Sequence, residues 1–129
     1  MDPTLLVDTA LQSIILTNPS VALDAKNKIV YLDTEQPAQV SVVSGGGSGH
    51  EPSFAAFVGR GLLTAAVAGK ILTSPDPEQV EVAMKNRVPG ENGILAIVMN
   101  NQVKEKILCS FRDKTPYPVL WGLAIYRPI

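Results

Sequence analysis

A strand, a glycine run and a helix start follow one another in Val40-Ser41-Val42-Val43-Ser44-Gly45-Gly46-Gly47-Ser48-Gly49-His50-Glu51-Pro52. Valine dominates Val40 to Val43, which predicts a strand. Pro52 suits the first position of a short helix, predicted to run through Val58, because the N–H that proline lacks has no partner there. A strand and a helix would therefore flank a glycine loop.

The rest of the chain alternates between strand and helix signals. We predict strands at Ile29 to Leu32 and Ile94 to Val98. Leu62 to Ala68 fits a buried strand or a helix, and the glycines at its boundaries favour the strand. We predict one helix from Asp2-Pro3 to Asn18-Pro19, with Leu6, Ala10, Leu11, Ile14 and Ile15 on its apolar face, and a second from Ser74-Pro75 to about Pro89. This alternation predicts an α/β fold with a parallel or mixed sheet and flanking helices.

Composition narrows the possible functions of the chain. Its 129 residues suffice for one domain, and its net charge of −1 gives no basic field for nucleic acid. Cys109 is the single cysteine, so it predicts a cytoplasmic protein with a buried, inert thiol. Met1 to Leu16 lacks the features of a signal peptide. Arg60 and Lys70 interrupt the most apolar window, Phe54 to Leu72, so we expect no membrane partner.

The glycine loop has the chemistry of a ligand site, or else it is a tight turn without function. Backbone N–H groups in Gly45 to Gly49 can approach the oxygens of a ligand without obstruction by side chains. However, Gly49-His50-Glu51 stands where a Walker loop needs Gly-Lys-Ser or Gly-Lys-Thr. His50 also stands where the dinucleotide fingerprint needs its third glycine. We therefore expect no ATP or NAD at this loop.

His50 and Ser48 are the candidate reactive side chains of the loop. His50, the single histidine, has the chemistry of a general base near neutral pH, or it ties the loop to a backbone carbonyl. Ser48 resembles the serine of a nucleophile elbow, but the final glycine of that motif is missing and no second histidine exists as its base. Glu51 is expected to be an acid in the first helical turn.

The composition of the chain changes after Val98. Residues 1–98 contain six basic and ten acidic residues, a net charge of −4, whereas residues 99–129 contain five and two, a net charge of +3. Residues 99–129 also hold four of the seven aromatic residues. This tail is either a genuine element that packs on the sheet or a segment foreign to the original fold, such as a retained intron.

Three separated motifs resemble the substrate domain of dihydroxyacetone (glycerone) kinases in their single-chain, ATP-dependent form. The motifs are Val43-Ser44-Gly45-Gly46-Gly47-Ser48-Gly49-His50-Glu51-Pro52, Phe57-Val58-Gly59-x-Gly61-x-Leu63-Thr64-Ala65-Ala66-Val67-x-Gly69, and Ser74-Pro75. The resemblance covers residues 1–98. We therefore expect residues 1–98 to be the N-terminal part of an incomplete substrate domain, followed by a divergent tail at residues 99–129.

The resemblance implies a role for each residue of the loop. Gly45, Gly46, Gly47, Ser48, Gly49 and His50 would bind the oxygens of a triose, and His50 would be the base that activates the hydroxyl to be phosphorylated. The family also has a second histidine that bonds covalently to the ketone carbon, and this chain has none. The family's aspartate after the strand at Ile94 to Val98 is missing too. In the stretch that follows this strand, Asn100 matches the family's asparagine, and Lys104 stands where the family has the aspartate.

The resemblance implies ATP-dependent phosphorylation of dihydroxyacetone, with ATP and magnesium bound by a separate helical domain absent from this chain. We expect this chain to bind neither and to be inactive alone, since phosphoryl transfer depends on positioning and on the metal. The alternatives are a non-catalytic triose-binding or regulatory protein that forms a homo-oligomer or associates with a full-length homologue, a non-functional truncated product, and, more distantly, a serine hydrolase.

Overall fold

The computed structural model describes residues 2–35, 39–49, 54–99 and 119–124. Its elements, in chain order, are α1 (Pro3–Thr17), β1 (Val21–Asp24), β2 (Ile29–Leu32), β3 (Ser41–Ser48), a 3₁₀ turn (Ala55–Phe57), β4 (Ala65–Ile71), α2 (Pro77–Val82), a π-helical turn (Ala83–Arg87), β5 (Ile94–Met99) and β6 (Val119–Ala124). The predicted α/β class is confirmed.

The six strands form one mixed sheet in the order β1-β2-β4-β3-β5-β6. β1 and β2 form an antiparallel hairpin, and β2 pairs antiparallel with β4. The other neighbours, β4 with β3, β3 with β5 and β5 with β6, are parallel. β3 therefore lies between two parallel strands, where its apolar residues are covered on both faces.

Each face of the sheet has its own helix. Side chains alternate between the faces along a strand, so Ile29 and Val30 of β2 enter different cores. The core under α1 contains Val7, Leu11, Val21, Val30, Leu32, Val58, Leu63 and Ala66. The core under α2 and the π-helical turn contains Ile29, Val43, Ala65, Val67, Ala83, Met84, Val88, Ile94 and Ala96.

Several predicted details of the helices were wrong. Leu6 was placed on the apolar face of α1, but it is 41% exposed, and Val7 is buried instead. The second helix was predicted to start at Ser74-Pro75. It starts two residues later at Pro77, because the Gln79 side-chain oxygen accepts a hydrogen bond from the Asp76 N–H at 2.9 Å.

The predicted strands exist, but their bounds differ. β4 covers Ala65–Ile71 instead of Leu62 to Ala68, and β1 was not predicted at all. The largest correction concerns the glycine loop, because β3 continues through Gly45, Gly46 and Gly47 to Ser48. Of the helix predicted between Pro52 and Val58, the described residues form only the 3₁₀ turn.

The tail is described only at β6. Its backbone pairs with β5 from Ile94 opposite Val119 to Met99 opposite Ala124. The predictions for Cys109, Asn100 and Lys104 fall outside the described residues. In the described part of the chain, no helix has both the length and the hydropathy needed to cross a membrane.

Candidate functional site

The glycine segment, Gly45 to Gly49, lies at the carboxyl end of β3. Its pairing with β5 ends at Gly45 opposite Val98, whereas its pairing with β4 continues to Ser48 opposite Ile71. Beyond Gly45, one edge of the segment therefore has no strand partner among the residues that the structure describes. Ligands of open α/β sheets bind at the carboxyl ends of the strands, so this edge is the candidate site.

A bulge bends the sheet at the glycine segment. Gly46 is opposite Ala68, but Ser48 is opposite Ile71, so β4 contains one residue more than β3 across this interval. The Leu72 N–H closes the bulge with a hydrogen bond of 2.9 Å to the Ser48 carbonyl oxygen. Bulges increase the local twist and redirect backbone groups. The end of β3 thus departs from regular pairing where the ligand site was predicted.

Close backbone contacts require glycine at several positions here. A Cβ atom on Gly45 would lie 2.3 Å from the Val67 carbonyl oxygen, and one on Gly69 would lie 2.0 Å from the Thr73 carbonyl oxygen. A Cβ on Gly47 would lie 3.1 Å from the Thr73 backbone. Gly49 needs glycine for another reason, because its φ is +118°. The segment therefore packs tightly against the turn that follows β4.

Ser48 is bonded inward and is 7% exposed. Its hydroxyl donates a hydrogen bond of 3.0 Å to the Gly69 carbonyl oxygen. A nucleophile-elbow serine is exposed at a sharp turn, whereas this serine is buried within a strand. The arrangement disfavours the hydrolase alternative and leaves the Ser48 oxygen able to accept a further hydrogen bond.

The structure places part of the predicted site. Gly45, Gly46, Gly47, Ser48 and Gly49 follow one another along the end of β3 and into the turn. His50, the predicted base, lies outside the described residues, as do Glu51 and Pro52. Their roles remain predictions.

Two bulky residues beside the segment have a positive φ. Leu72 has a φ of +56°, and Phe54 combines a φ of +63° with a ψ of −74°. Sparsely populated backbone conformations of this kind cost a non-glycine residue of order 1–3 kcal/mol. Leu72 is also 81% exposed and directly follows β4. Sequence reasoning missed both residues, because leucine and phenylalanine carry no signal for a positive φ.

A cavity of about 290 Å³ lies between α1 and the glycine segment. It is lined by Val7, Ala10, Leu11, Ser13, Ile14, Gly46, Gly47, Ser48, Phe54, Ala55, Ala56, Ala66, Val67 and Ala68. Sequence reasoning missed it as well, although the small residues on β3, β4 and the 3₁₀ turn were its signal. They leave space that larger side chains would fill.

An ion pair fastens the β1–β2 hairpin to the π-helical turn. Arg87 donates to the Asp24 carboxylate from Nε at 3.1 Å and from a terminal nitrogen at 2.9 Å, and its guanidinium lies 5.2 Å from the centre of the Tyr31 ring. Burial alone would raise the pKa of Asp24. Hydrogen bonds from Asn27 and Arg87 outweigh that effect and lower this pKa, and the hydrogen bond to Asp24 raises the pKa of Arg87.

The described residues offer no built metal site. They contain no group of three or more histidine, cysteine, aspartate or glutamate side chains able to hold an ion. Magnesium is usually bound by one or two carboxylates together with substrate phosphates, and we assign no magnesium ligand among the described residues. What the described residues do provide is a glycine-lined strand end, at the edge of the sheet where open α/β domains bind their ligands.

Comparison with known proteins identifies the family. The Dak1 domain model matches residues 12–102. Dihydroxyacetone kinase 1 of Saccharomyces cerevisiae is 39% identical over 94 residues, which are 73% of this chain and 16% of that protein. A second relative is the dihydroxyacetone-binding subunit DhaK of a PTS-dependent kinase from Listeria innocua. It is 47% identical over 73 residues, which are 57% of this chain and 22% of that protein. The chain belongs to the Dak1 domain family.

Solved structures agree with this assignment. The dihydroxyacetone kinase of C. freundii matches with a TM-score of 0.85 and 33% identity, over 95% of this chain and 24% of that one. A similar match is the same kinase in complex with AMP-PNP and Mg²⁺. The dihydroxyacetone kinase operon co-activator Dha-DhaQ matches with a TM-score of 0.75 and 28% identity, over 89% of this chain and 36% of that one. This chain thus spans about a quarter or less of the kinases it matches.

Proposed function

We propose that this chain carries the first part of the triose-binding site of a dihydroxyacetone kinase. The observation that supports it most is the glycine segment, which ends a central parallel strand inside the region matched by the Dak1 domain. The curated relatives are named for dihydroxyacetone phosphorylation or dihydroxyacetone binding. We infer a cytoplasmic location from the single cysteine.

In this proposal, backbone groups of the glycine segment bind the oxygens of the triose. Such groups are fixed by the pairing of β3 with β4, so binding requires little reorganisation. His50 follows the segment directly and accepts the proton of the hydroxyl that is to be phosphorylated. ATP and magnesium would supply the phosphoryl group and the charge neutralisation that phosphoryl transfer needs, as in the related kinase whose structure holds AMP-PNP and Mg²⁺.

The single histidine predicts weak discrimination between dihydroxyacetone, which has a ketone, and glycerol, which has none. Without a second histidine to bond the ketone carbon, this chain recognises hydroxyl and carbonyl oxygens by hydrogen bonds alone. We expect dihydroxyacetone and glycerol to bind with affinities within about tenfold of each other, or about 1.4 kcal/mol. Isothermal calorimetry with both ligands measures this ratio.

Activity and binding tests separate the parts of the proposal. The purified chain with ATP and Mg²⁺ should form no dihydroxyacetone phosphate, and sustained formation would contradict the expected inactivity. Calorimetry should show dihydroxyacetone binding that is weakened in His50→Ala and retained in Glu35→Ala, an exposed residue. Absence of binding to the folded chain would overturn the triose site.

A second candidate function is a non-catalytic, triose-responsive partner of a longer kinase or of a second copy of this chain. The structural match to the operon co-activator Dha-DhaQ supports it. This candidate predicts that the chain co-purifies with a full-length homologue or sediments as an oligomer, and that dihydroxyacetone alters the association. A monomer that binds neither triose nor homologue would instead support a non-functional product.

A further inference from the structure

We propose that the outward face of α1 pairs with the same face of a second copy of this chain. This face consists of the exposed residues Leu5, Leu6, Thr9, Gln12, Ser13, Leu16 and Thr17. A surface helix normally presents charged residues to water, and a helix that is apolar all round is normally covered. Here Leu16 is 86% exposed and Leu5 is 56% exposed. The single charge of α1, Asp8, lies outside this face and pairs with Lys28 at 3.0 Å.

The hydroxyl groups of the outward face are bonded within the helix. Thr9 donates to the Leu5 carbonyl oxygen at 2.8 Å, and Ser13 donates to the Ala10 carbonyl oxygen at 2.6 Å. Thr17 also donates to carbonyl oxygens of the preceding turn. Because each hydroxyl already has a partner for its hydrogen, covering this face leaves none of these donors unpaired.

The spacing along the face indicates a second copy as the partner. Leu5, Thr9, Gln12 and Leu16 follow one another at intervals of four, three and four residues, which places them in one row along the helix. This row reads the same from either end in spacing and in kind: apolar, polar, polar, apolar. In an antiparallel pair with two-fold symmetry, Leu5 therefore meets Leu16 of the second copy, and Gln12 meets Thr9 of the second copy.

The polar positions of the row also match in this pairing. The Thr9 oxygen keeps acceptor capacity after its hydrogen has bonded to Leu5, and the Gln12 amide nitrogen has hydrogens to donate to it. A charged partner surface would instead lose its hydration without gaining a counter-charge. The seven residues of the face are fewer than the roughly 20–30 per side of a standard interface, so we expect a transient dimer that dissociates on dilution.

Sedimentation velocity over a concentration series measures the dimer. Leu16→Lys should weaken it by about tenfold or more, because a buried leucine contact is lost. Leu62→Lys is the matched control, since Leu62 is a 64% exposed leucine outside α1, and it should leave the dimer unchanged. Circular dichroism checks that both variants fold. A chain that stays monomeric up to about 1 mM, where even a millimolar dissociation constant is detected, would overturn the proposal. Equal weakening by both variants would overturn it too.

A charge pair tests the antiparallel register. Leu5→Glu alone should weaken the dimer as Leu16→Lys does. The double variant should recover it, because the introduced acid of one copy faces the introduced base of the other. These positions lie about 16 Å apart along one helix, so they cannot pair within a single copy. Salt should weaken the recovered dimer by screening. A double variant that dimerises no better than the single variants would overturn the pairing.

Added dihydroxyacetone separates this proposal from the proposed functions. The α1 contact gives a surface to the second-copy arrangement of the second candidate function, but it does not depend on triose binding. A dimer that forms equally with and without dihydroxyacetone would support this contact and refute the triose-responsive partner. A chain that binds dihydroxyacetone and remains monomeric throughout the concentration series would support the triose site and overturn the α1 contact.

Discussion

The Ser48 hydroxyl donates a hydrogen bond of 3.0 Å to the Gly69 carbonyl oxygen and so links the end of β3 to the C-terminal part of β4. The Leu72 N–H adds a second link to the Ser48 carbonyl oxygen. The end of β3 is therefore held by its neighbours on the β4 side, whereas its pairing with the described part of β5 ends at Gly45. These links fix the backbone of the glycine segment relative to β4.

Removing the Ser48 hydroxyl should disturb the glycine segment specifically. Ser48→Ala leaves the Gly69 carbonyl oxygen without this donor, so we expect a loss of about 1 kcal/mol in the free energy of unfolding. Ser44→Ala should cost a similar amount, because Ser44 makes an equivalent bond of 2.9 Å to Ile97. Urea denaturation measures both. Only Ser48→Ala should shift the amide resonances of Gly47 and Gly49, and equal shifts in Ser44→Ala would contradict this.

A methyl group on Gly69 should destabilise the fold. It would lie 2.0 Å from the Thr73 carbonyl oxygen and 2.8 Å from the Pro75 nitrogen, both backbone atoms, so the turn after β4 must move. We expect Gly69→Ala to cost about 1–3 kcal/mol by urea denaturation.

Gly59→Ala is the matched control for Gly69→Ala. No atom lies within 4 Å of its added Cβ. The substitution should leave the stability unchanged or raise it by up to about 1 kcal/mol, because alanine lowers the conformational entropy of the unfolded chain. If the two variants had equal stability, the close approach at Gly69 would not be the reason for glycine there.

The ion pair between Asp24 and Arg87 should make stability depend on acid pH. The pKa of Asp24 is lower in the folded chain than its ordinary value of 3.8. The charged form therefore stabilises the fold fully above the unfolded pKa, and this contribution is lost as the pH falls through the folded pKa. Asp24→Asn should lower the free energy of unfolding by about 1.5–3 kcal/mol at pH 7. The difference in this free energy between the variant and the original chain should shrink as the pH falls.

Glu81→Gln is the control for Asp24→Asn. Glu81 of α2 pairs with Lys85 of the π-helical turn at 2.6 Å, and helical pairs four residues apart contribute about 0.3–0.5 kcal/mol. Its effect should be small at every pH. If the Asp24→Asn difference stayed constant between pH 7 and pH 3, the lowered pKa of Asp24 would be refuted.

Gln79 should couple α2 to the sheet through its amide group. Its nitrogen donates to the Asn27 carbonyl oxygen at 2.7 Å, and its oxygen accepts from the Asp76 N–H. Gln79→Glu keeps the acceptor but loses the donor, so we expect a loss of about 1 kcal/mol. Glu78→Gln, on the exposed neighbour, should change the stability by less than about 0.5 kcal/mol. A reversed order of these two effects would contradict the coupling.

Sequence reasoning predicted the core of the fold because its signals were strong. The apolar run at Ile94 to Val98 and the capped helix after Asp2 correspond to β5 and α1. It missed β1, whose four residues include Ala22 and Asp24, two residue types that are depleted in strands. It also misplaced the end of β3, since glycine favours turns locally, and here pairing with β4 outweighs that preference.

The site was predictable only in part. The glycines indicated close approach, and Gly45 does contact the backbone of Val67. The motif could not show which neighbour comes close, because the Gly69 and Thr73 contacts depend on the bulge in β4. The left-handed Leu72 depends on the same turn, and tertiary contacts of this kind leave no trace in the local sequence.

The pairing of β6 predicts protection in the tail. Its backbone is paired with β5 over six residues, so amide exchange within residues 119–124 should be slowed together with that of β5. Hydrogen exchange followed by mass spectrometry tests this. Immediate exchange throughout the tail would favour a segment foreign to the fold.

An NMR titration of the labelled chain with dihydroxyacetone tests the triose site most directly. We predict concentration-dependent shifts concentrated in the amides of Gly45 to Gly49 and in the His50 ring, with little change at the ion pair between Asp24 of β1 and Arg87 of the π-helical turn. A folded chain whose glycine and His50 resonances stay fixed up to high dihydroxyacetone concentration would contradict the account.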